Sequence, residues 1–239
     1  MKTLLITGAT SGIGEALAIE AARRGYQVIG CGRTAEKLAQ LHQEHGIETR
    51  CFDVNDEQET RQALADCRPD IIVLNAGVCE YVDAHSIDPS LFRRVFETNL
   101  FGVVNCLAGL QHALQPGTHL LVVDSMARLL PFTRSQAYGA SKAAVHYLTQ
   151  SLRVDLAASG VKVTSLSPGF VKTPLTDKND FPMPMRISTQ QAVEAILSKI
   201  DRDAANRYFP WMFGAILRLL TRLPDRLKVA LCQSMRSAQ

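Results

Sequence analysis

Short β-branched, apolar runs alternate along this chain with longer stretches whose apolar residues recur at helical spacing. That alternation predicts a parallel sheet covered by helices on both faces. Strands are expected near Thr3 to Thr7, Gln27 to Cys31, Glu48 to Phe52, Ile71 to Leu74, His119 to Val123 and Lys162 to Leu166, with a short seventh around Asn206 to Phe209. The unbroken apolarity of Ile71-Ile72-Val73-Leu74 marks a strand buried on both faces. Helices are expected near Ile13 to Arg24, Ala35 to Glu44, Glu57 to Asp66, Pro89 to Ala113, Gln136 to Ala158 and Thr189 to Ile200. Gly25, Gly46 and Gly160 each follow a helical stretch and suit a left-handed C-cap. The βαβαβ order, twice over, predicts a doubly wound, Rossmann-like α/β sheet, whose ligands lie at the carboxyl ends of the strands.

From Tyr208 to Leu223 the pattern changes, with Met212, Phe213, Ile216, Leu219, Leu220 and Leu223 at helical spacing beside a basic row of Arg218, Arg222 and Arg226. The expected organisation is therefore a dinucleotide-binding and catalytic domain over 1–205 and a helical extension over 206–239 packed on it. Such a helix can cover a pocket, join subunits or rest on an anionic membrane surface, and all three remain open from the sequence.

At 239 residues with no Pro/Gly/Ser-rich linker, the chain reads as one domain with one large core. Its net charge of +3 is dispersed, without the dense basic stripe that nucleic acid requires, so nucleic acid is not an expected partner. The six cysteines form no CxxC pair, which fits thiols in a reducing compartment, and the apolar run after Lys2 is too short for a signal peptide. A cytoplasmic protein is expected. His42 and His45 have no evident third partner, so no metal is expected.

The first strand runs into Thr7-Gly8-Ala9-Thr10-Ser11-Gly12-Ile13-Gly14 and then into a helix. Strand, Gly-rich turn and helix together make a nucleotide site credible. Gly8 would allow the tight turn, Gly12 the approach of a pyrophosphate and Gly14 close packing of helix on strand, with the anion at the helix N-terminus. Gly8, Thr10, Ser11, Gly12, Ile13 and Gly14 are the candidate contacts. At the end of the second strand an NAD site usually has a carboxylate, but here stands Cys31-Gly32-Arg33-Thr34. Arg33 can meet a 2'-phosphate bidentately, so NADP(H) is the expected cofactor and NAD(H) the alternative. Asp53 with Val54 after the third strand is placed for adenine, and Asn75-Ala76-Gly77 after the fourth for the ribose. Asp and Asn also favour such places as turn residues; their repetition at successive strand ends is what argues for a cofactor.

The fifth strand ends at Asp124-Ser125, and the next helix carries Tyr138 and Lys142 four apart on one face. Reduction of a carbonyl needs a proton for the oxygen as hydride reaches the carbon. A phenol can supply it if a nearby ammonium favours the phenolate, and Ser125 can hold the substrate oxygen. Tyr138, Lys142 and Ser125 are the candidate catalytic residues.

With these residues in place, the sequence resembles the short-chain dehydrogenase/reductase family in its compact form, from about Lys2 to Ile200. The motifs run in order: TGxxxGxG at Thr7 to Gly14, Asp53-Val54, Asn75 to Gly77, Asn99, Ser125, YxxxK at Tyr138 to Lys142, and PGxxxT at Pro168 to Thr173. The resemblance implies a strand order 3-2-1-4-5-6-7. It also implies a water anchored by Asn99 in a relay to Lys142, nicotinamide contacts from Tyr138, Lys142, Pro168, Gly169, Val171 and Thr173, and a homodimer or homotetramer built on the helices of Asn99 and Tyr138. One departure is Ser11, which stands where many NADP-preferring members carry a second basic residue.

Leu129, Leu130, Phe132, Phe181, Met183 and Met185 are expected around the substrate, which would then be a small lipophilic carbonyl or alcohol. A dinucleotide-sensing regulator would need no Ser/Tyr/Lys set, which disfavours that alternative; a membrane-surface lipid carbonyl reductase is the other.

Overall fold

The computed structural model describes residues 1–177, 179 and 181–237. Seven parallel strands form one sheet in the order β3-β2-β1-β4-β5-β6-β7. They are β1 (Thr3–Thr7), β2 (Gln27–Gly32), β3 (Glu48–Cys51), β4 (Ile71–Leu74), β5 (His119–Val123), β6 (Lys162–Pro168) and β7 (Asn206–Phe209). Strand side chains alternate between two cores, as a period of two dictates. Leu4, Ile6, Val73, Leu121 and Leu166 face α1 (Gly12–Arg23), α2 (Ala35–His45) and α7 (Thr189–Leu197). Leu5, Ile72, Leu74, Leu120 and Val122 face α3 (Glu57–Leu64), α5 (Gly102–Gly109) and α6 (Gln136–Leu156). Because both faces are covered, the central strands need no polar side, which is why they read as continuous apolar runs.

Helix ends follow local chemistry. Asp88 caps α4 (Pro89–Phe96) by accepting from the Ser90 amide, and Pro89 takes the first turn, where its missing N–H costs nothing. Gly46 (φ 66°) and Gly160 (φ 73°) occupy the left-handed region, as expected of C-caps.

Two expectations are corrected. The helix expected over Pro89 to Ala113 is α4, then a π turn at Glu97–Phe101, then α5 and a 3-10 turn at Gln111–Ala113. A π turn inserts one residue into the helical register, which re-aims the side chains within it; here Asn99 turns inward and is fully buried. The amphipathic stretch from Tyr208 to Leu223 holds one helix, as its spacing predicts, but a shorter one that begins only after β7. Pro210 and Pro224 punctuate it into β7, α8 (Trp211–Leu220) and α9 (Asp225–Ser237), because proline cannot donate to an ongoing ladder or helix. β7 pairs with β6 from Ser165↔Asn206 to Pro168↔Phe209, and α8 turns back over the carboxyl edge of the sheet to bury Phe213 and Leu217 against Met126 and Leu130. No described helix is long and apolar enough to cross a membrane.

Candidate active site

The Gly-rich turn is held from below. The Thr7 hydroxyl accepts from the amides of Asn75 and Ala76 at 3.0 and 3.1 Å, and the Asn75 amide group donates to Thr7 O at 3.0 Å. The side chain of Asn75 is thus spent on bracing the turn from β4, a role its sequence position did not reveal. A Cβ on Gly14 would lie 2.2 Å from Gly8 O and 2.6 Å from Asn75 Nδ2, so only glycine lets α1 leave the strand this closely. Gly8 (φ 67°) and Gly12 (φ 58°) take left-handed backbone, while Ile13 packs on the core. Thr173 comes over the turn, its methyl 3.3 Å from where a Gly12 Cβ would stand. Ser11 N-caps α1 without a side-chain bond, leaving the first-turn amides directed at this cradle.

At the far end of the trench, Arg33 Nη1 donates to Asp53 Oδ2 at 3.2 Å, the Arg33 side chain being exposed and that of Asp53 half-buried. Asp53 Oδ1 also accepts from the Asn55 amide at 3.0 Å. Val54 is buried under Gly102, where a Cβ would meet Val54 Cγ2 at 2.8 Å. A cradle that any Cβ would fill, uncapped helix amides and a nearby guanidinium together fit a nicotinamide dinucleotide.

The catalytic candidates converge. Tyr138 and Ser125 line the same cavity wall, and Ser125 Oγ accepts from the Ala127 amide at 3.1 Å. Lys142, 4% exposed, donates from Nζ to Val123 O at 2.9 Å and lies 6.0 Å from the Tyr138 ring centroid. A Cβ on Gly77 would stand 3.1 Å from Asn99 Oδ1 and 3.3 Å from Lys142 Nζ, so these three groups crowd one point. Asn99 is gripped by the Val78 amide (2.8 Å), Val78 O (2.9 Å) and Ser141 Oγ (2.9 Å). Ser141, inside the YxxxK stretch, was not singled out by sequence reasoning; its hydroxyl donates to Tyr138 O at 2.8 Å and so fixes Asn99 to the catalytic helix.

The electrostatics differ from expectation. Burial pushes the Tyr138 phenol above its ordinary range, with Ser125 opposing. Burial also brings Lys142 down to about 8, against the favourable field of Asp124. In the protein alone, burial therefore favours the protonated phenol.

Ser125 and Tyr138 stand on the wall of a cavity of about 480 Å³. Its aromatic side links Tyr81 to Phe181 and Phe181 to Phe170 edge-on, with centroids 5.7 and 6.1 Å apart. Phe132, Phe181 and Met183 line it as expected, but Leu129, Leu130 and Met185 do not: Leu130 is packed beneath the wall and Met185 is 38% exposed. Cys79, Tyr81, Phe213, Leu217 and Cys232 also line it, brought in from β4's loop, α8 and α9, which local pattern cannot foresee. Burial pushes the Cys79 thiol up to about 11, which leaves it an inert wall. Gly169 sits where wall and trench meet, a Cβ there falling 2.9 Å from Phe213 Cδ1; Pro168 ends β6, and Val171, buried, bridges to Ile187.

The family profile described as short chain dehydrogenase matches residues 2–183. The chain is 35% identical to an uncharacterised oxidoreductase of Myxococcus xanthus over 98% of both proteins. It is 32% identical to an NADPH-dependent 1-acyldihydroxyacetone phosphate reductase of Schizosaccharomyces pombe, over 80% of this chain and 66% of that one. Among solved structures, a short chain dehydrogenase from Burkholderia cenocepacia in complex with NADP superposes with a TM-score of 0.86 at 25% identity, over 96% of this chain and 97% of that one. The chain belongs to the short-chain dehydrogenase family and is an oxidoreductase acting between alcohol and carbonyl.

Proposed function

We propose that this enzyme is an NADPH-preferring reductase of uncharged, lipophilic carbonyls, working also in reverse on the alcohols, with Tyr138 as the acid and base. The observation that carries the reading is the convergence of Ser125 and Tyr138 on the wall of one apolar cavity, with the buried Lys142 ammonium 6.0 Å from the Tyr138 ring. Gly8, Thr10, Ser11, Gly12, Ile13 and Gly14 would hold the pyrophosphate and Arg33 the 2'-phosphate. Asp53 and Val54 would border the adenine, Asn75, Ala76 and Gly77 the ribose, and Pro168, Gly169, Val171 and Thr173 the nicotinamide. Once bound, that cofactor supplies the hydride or receives it.

The residues of the chain do the rest. Ser125 orients the carbonyl oxygen, and Tyr138 passes its phenolic proton to that oxygen as the carbon is reduced. Burial keeps the phenol protonated and ready to donate. The Lys142 ammonium, fixed by Val123 O, stabilises the phenolate left behind, and Asn99, held by Ser141, stands where a water would connect Lys142 to solvent. The aromatic wall receives the apolar body of the substrate.

α8 keeps Trp211, Ile216 and Leu219 on its outer surface while burying Phe213 and Leu217, and this favours a peripheral membrane contact as a second reading. Equal liposome binding by the full chain and by one ending at Phe209 would exclude it. The exposed Phe101, Val104, Tyr147 and Val154 of the central helices are where a homodimer or homotetramer would form.

Loss of NADPH absorbance at 340 nm against a series of aldehydes and ketones of rising chain length tests the main reading. Turnover should rise with apolar length and fall at least about 100-fold in Tyr138→Phe. Undiminished turnover in that variant would remove the assigned proton donor.

A further inference from the structure

Arg33 and Lys37 stand four residues apart where β2 passes into α2, and the second of them has no place in the motifs above. A lysine in the first turn of a surface helix ordinarily extends into solvent. Lys37 instead folds back across the tip of β2, and its Nζ donates to Thr10 O, in the Gly-rich turn, at 3.1 Å. Thr10 in turn lies directly over Gly32, where a Cβ would be only 2.6 Å from its methyl group. Arg33 approaches the same strand end from the other side, its Nη1 on Asp53 at 3.2 Å. Two cations therefore flank the Thr10–Gly32 contact, one reaching from each side.

We propose that Lys37 is a second specificity-determining cation for the 2'-phosphate of NADPH, sharing it with Arg33; this rests on the NADPH preference proposed above. The carbonyl that Lys37 holds carries no net charge and is a weaker partner than a phosphate dianion, which adds direct Coulomb attraction to the hydrogen bond. The Arg33 pair with Asp53, its guanidinium exposed, likewise yields at little cost. Arg33 supplies a planar fork and Lys37 a mobile point charge.

The test is binding of NADPH and of NADH to the intact protein, followed by the fluorescence of the reduced nicotinamide, and it needs no carbonyl substrate. Lys37→Met keeps the apolar stem and removes the charge. The expected result is a rise of about tenfold in the NADPH Kd with the NADH Kd within about twofold of the parent, and recovery in Lys37→Arg. Equal weakening of both nucleotides would mean that Lys37 only supports the turn, and no change in either would mean that it does not reach the phosphate; each result overturns the inference while Arg33→Ala can still show an NADPH preference. A parent that binds NADH as tightly as NADPH would refute the preference itself.

Discussion

Replacing Arg128 with Met should expose how much of the catalytic edge depends on one buried ion pair. Arg128 Nε donates to Asp124 Oδ2 at 2.7 Å, with the two side chains 8% and 0% exposed. Its Nη2 reaches the Tyr208 hydroxyl at 3.1 Å, so the guanidinium ties the residue before Ser125 to β7 at the root of α8. Taking one partner from a buried pair costs about 3–5 kcal/mol, because the other charge stays buried without its counterion. Asp124 would retain the Ser165 hydroxyl at 2.8 Å and His146 Nδ1 at 2.9 Å, which places the cost near the low end, about 3 kcal/mol. At this chain length each kcal/mol moves the midpoint by about 2–4 °C, so thermal unfolding by circular dichroism should fall by roughly 6–12 °C. The double variant Asp124→Leu/Arg128→Met removes both charges and should regain most of that loss. A single variant melting within about 2 °C of the parent, or a double variant lower than the single, would refute the reasoning.

Three further outcomes follow from the same geometry. Gly14→Ala would push a methyl group to 2.2 Å from Gly8 O, and titration with NADPH should show at least about tenfold weaker binding, whereas unchanged affinity would mean the turn is not the cradle. Lys142, lowered by burial from 10.5 to about 8, is charged below that pH and neutral above it, so kcat/KM for reduction should be level on the acid side and fall as pH rises through about 8; a profile flat to pH 10 would contradict its role. His119, held down to about 4 by burial from an ordinary 6.5, stays neutral in the fold while the unfolded chain takes up a proton. Its contribution is therefore intact above pH 6.5 and lost as pH falls toward 4, and urea midpoints between pH 7.5 and 4.5 should drop more steeply for the parent than for His119→Gln.

Much of this arrangement was legible in the chain because the signals are local. Buried strands such as Ile71-Ile72-Val73-Leu74 must be apolar on both faces, and the glycines answer to the backbone, Gly8 and Gly12 through their left-handed φ and Gly14 through its contact with Gly8 O. Tyr138 and Lys142 share a helix face by spacing alone. What escaped notice depends on contacts between distant segments. The π turn that buries Asn99 shifts the apolar pattern by a single residue, too little to register within a long helical stretch. Phe213, Leu217 and Cys232 reach the cavity only because β7 docks on β6 and returns α8 over the sheet edge. The ion pair of Asp124 and Arg128, with His146 and Ser165, gathers residues from β5's end, a 3-10 turn, α6 and β6. Lys37 carries no signal in the sequence beyond its charge, because only the fold brings its side chain to Thr10.

The most direct measurement is the fate of a labelled hydride. NADPH carrying deuterium at both C4 positions, incubated with the enzyme and a ketone that it reduces, should deliver one deuterium to the carbinol carbon, read as a one-unit mass increase in the alcohol, and Tyr138→Phe should bind the nucleotide yet yield almost no labelled product. Alcohol formed without deuterium at that carbon, or labelled alcohol formed equally well by Tyr138→Phe, would contradict a direct transfer completed by the phenol of Tyr138.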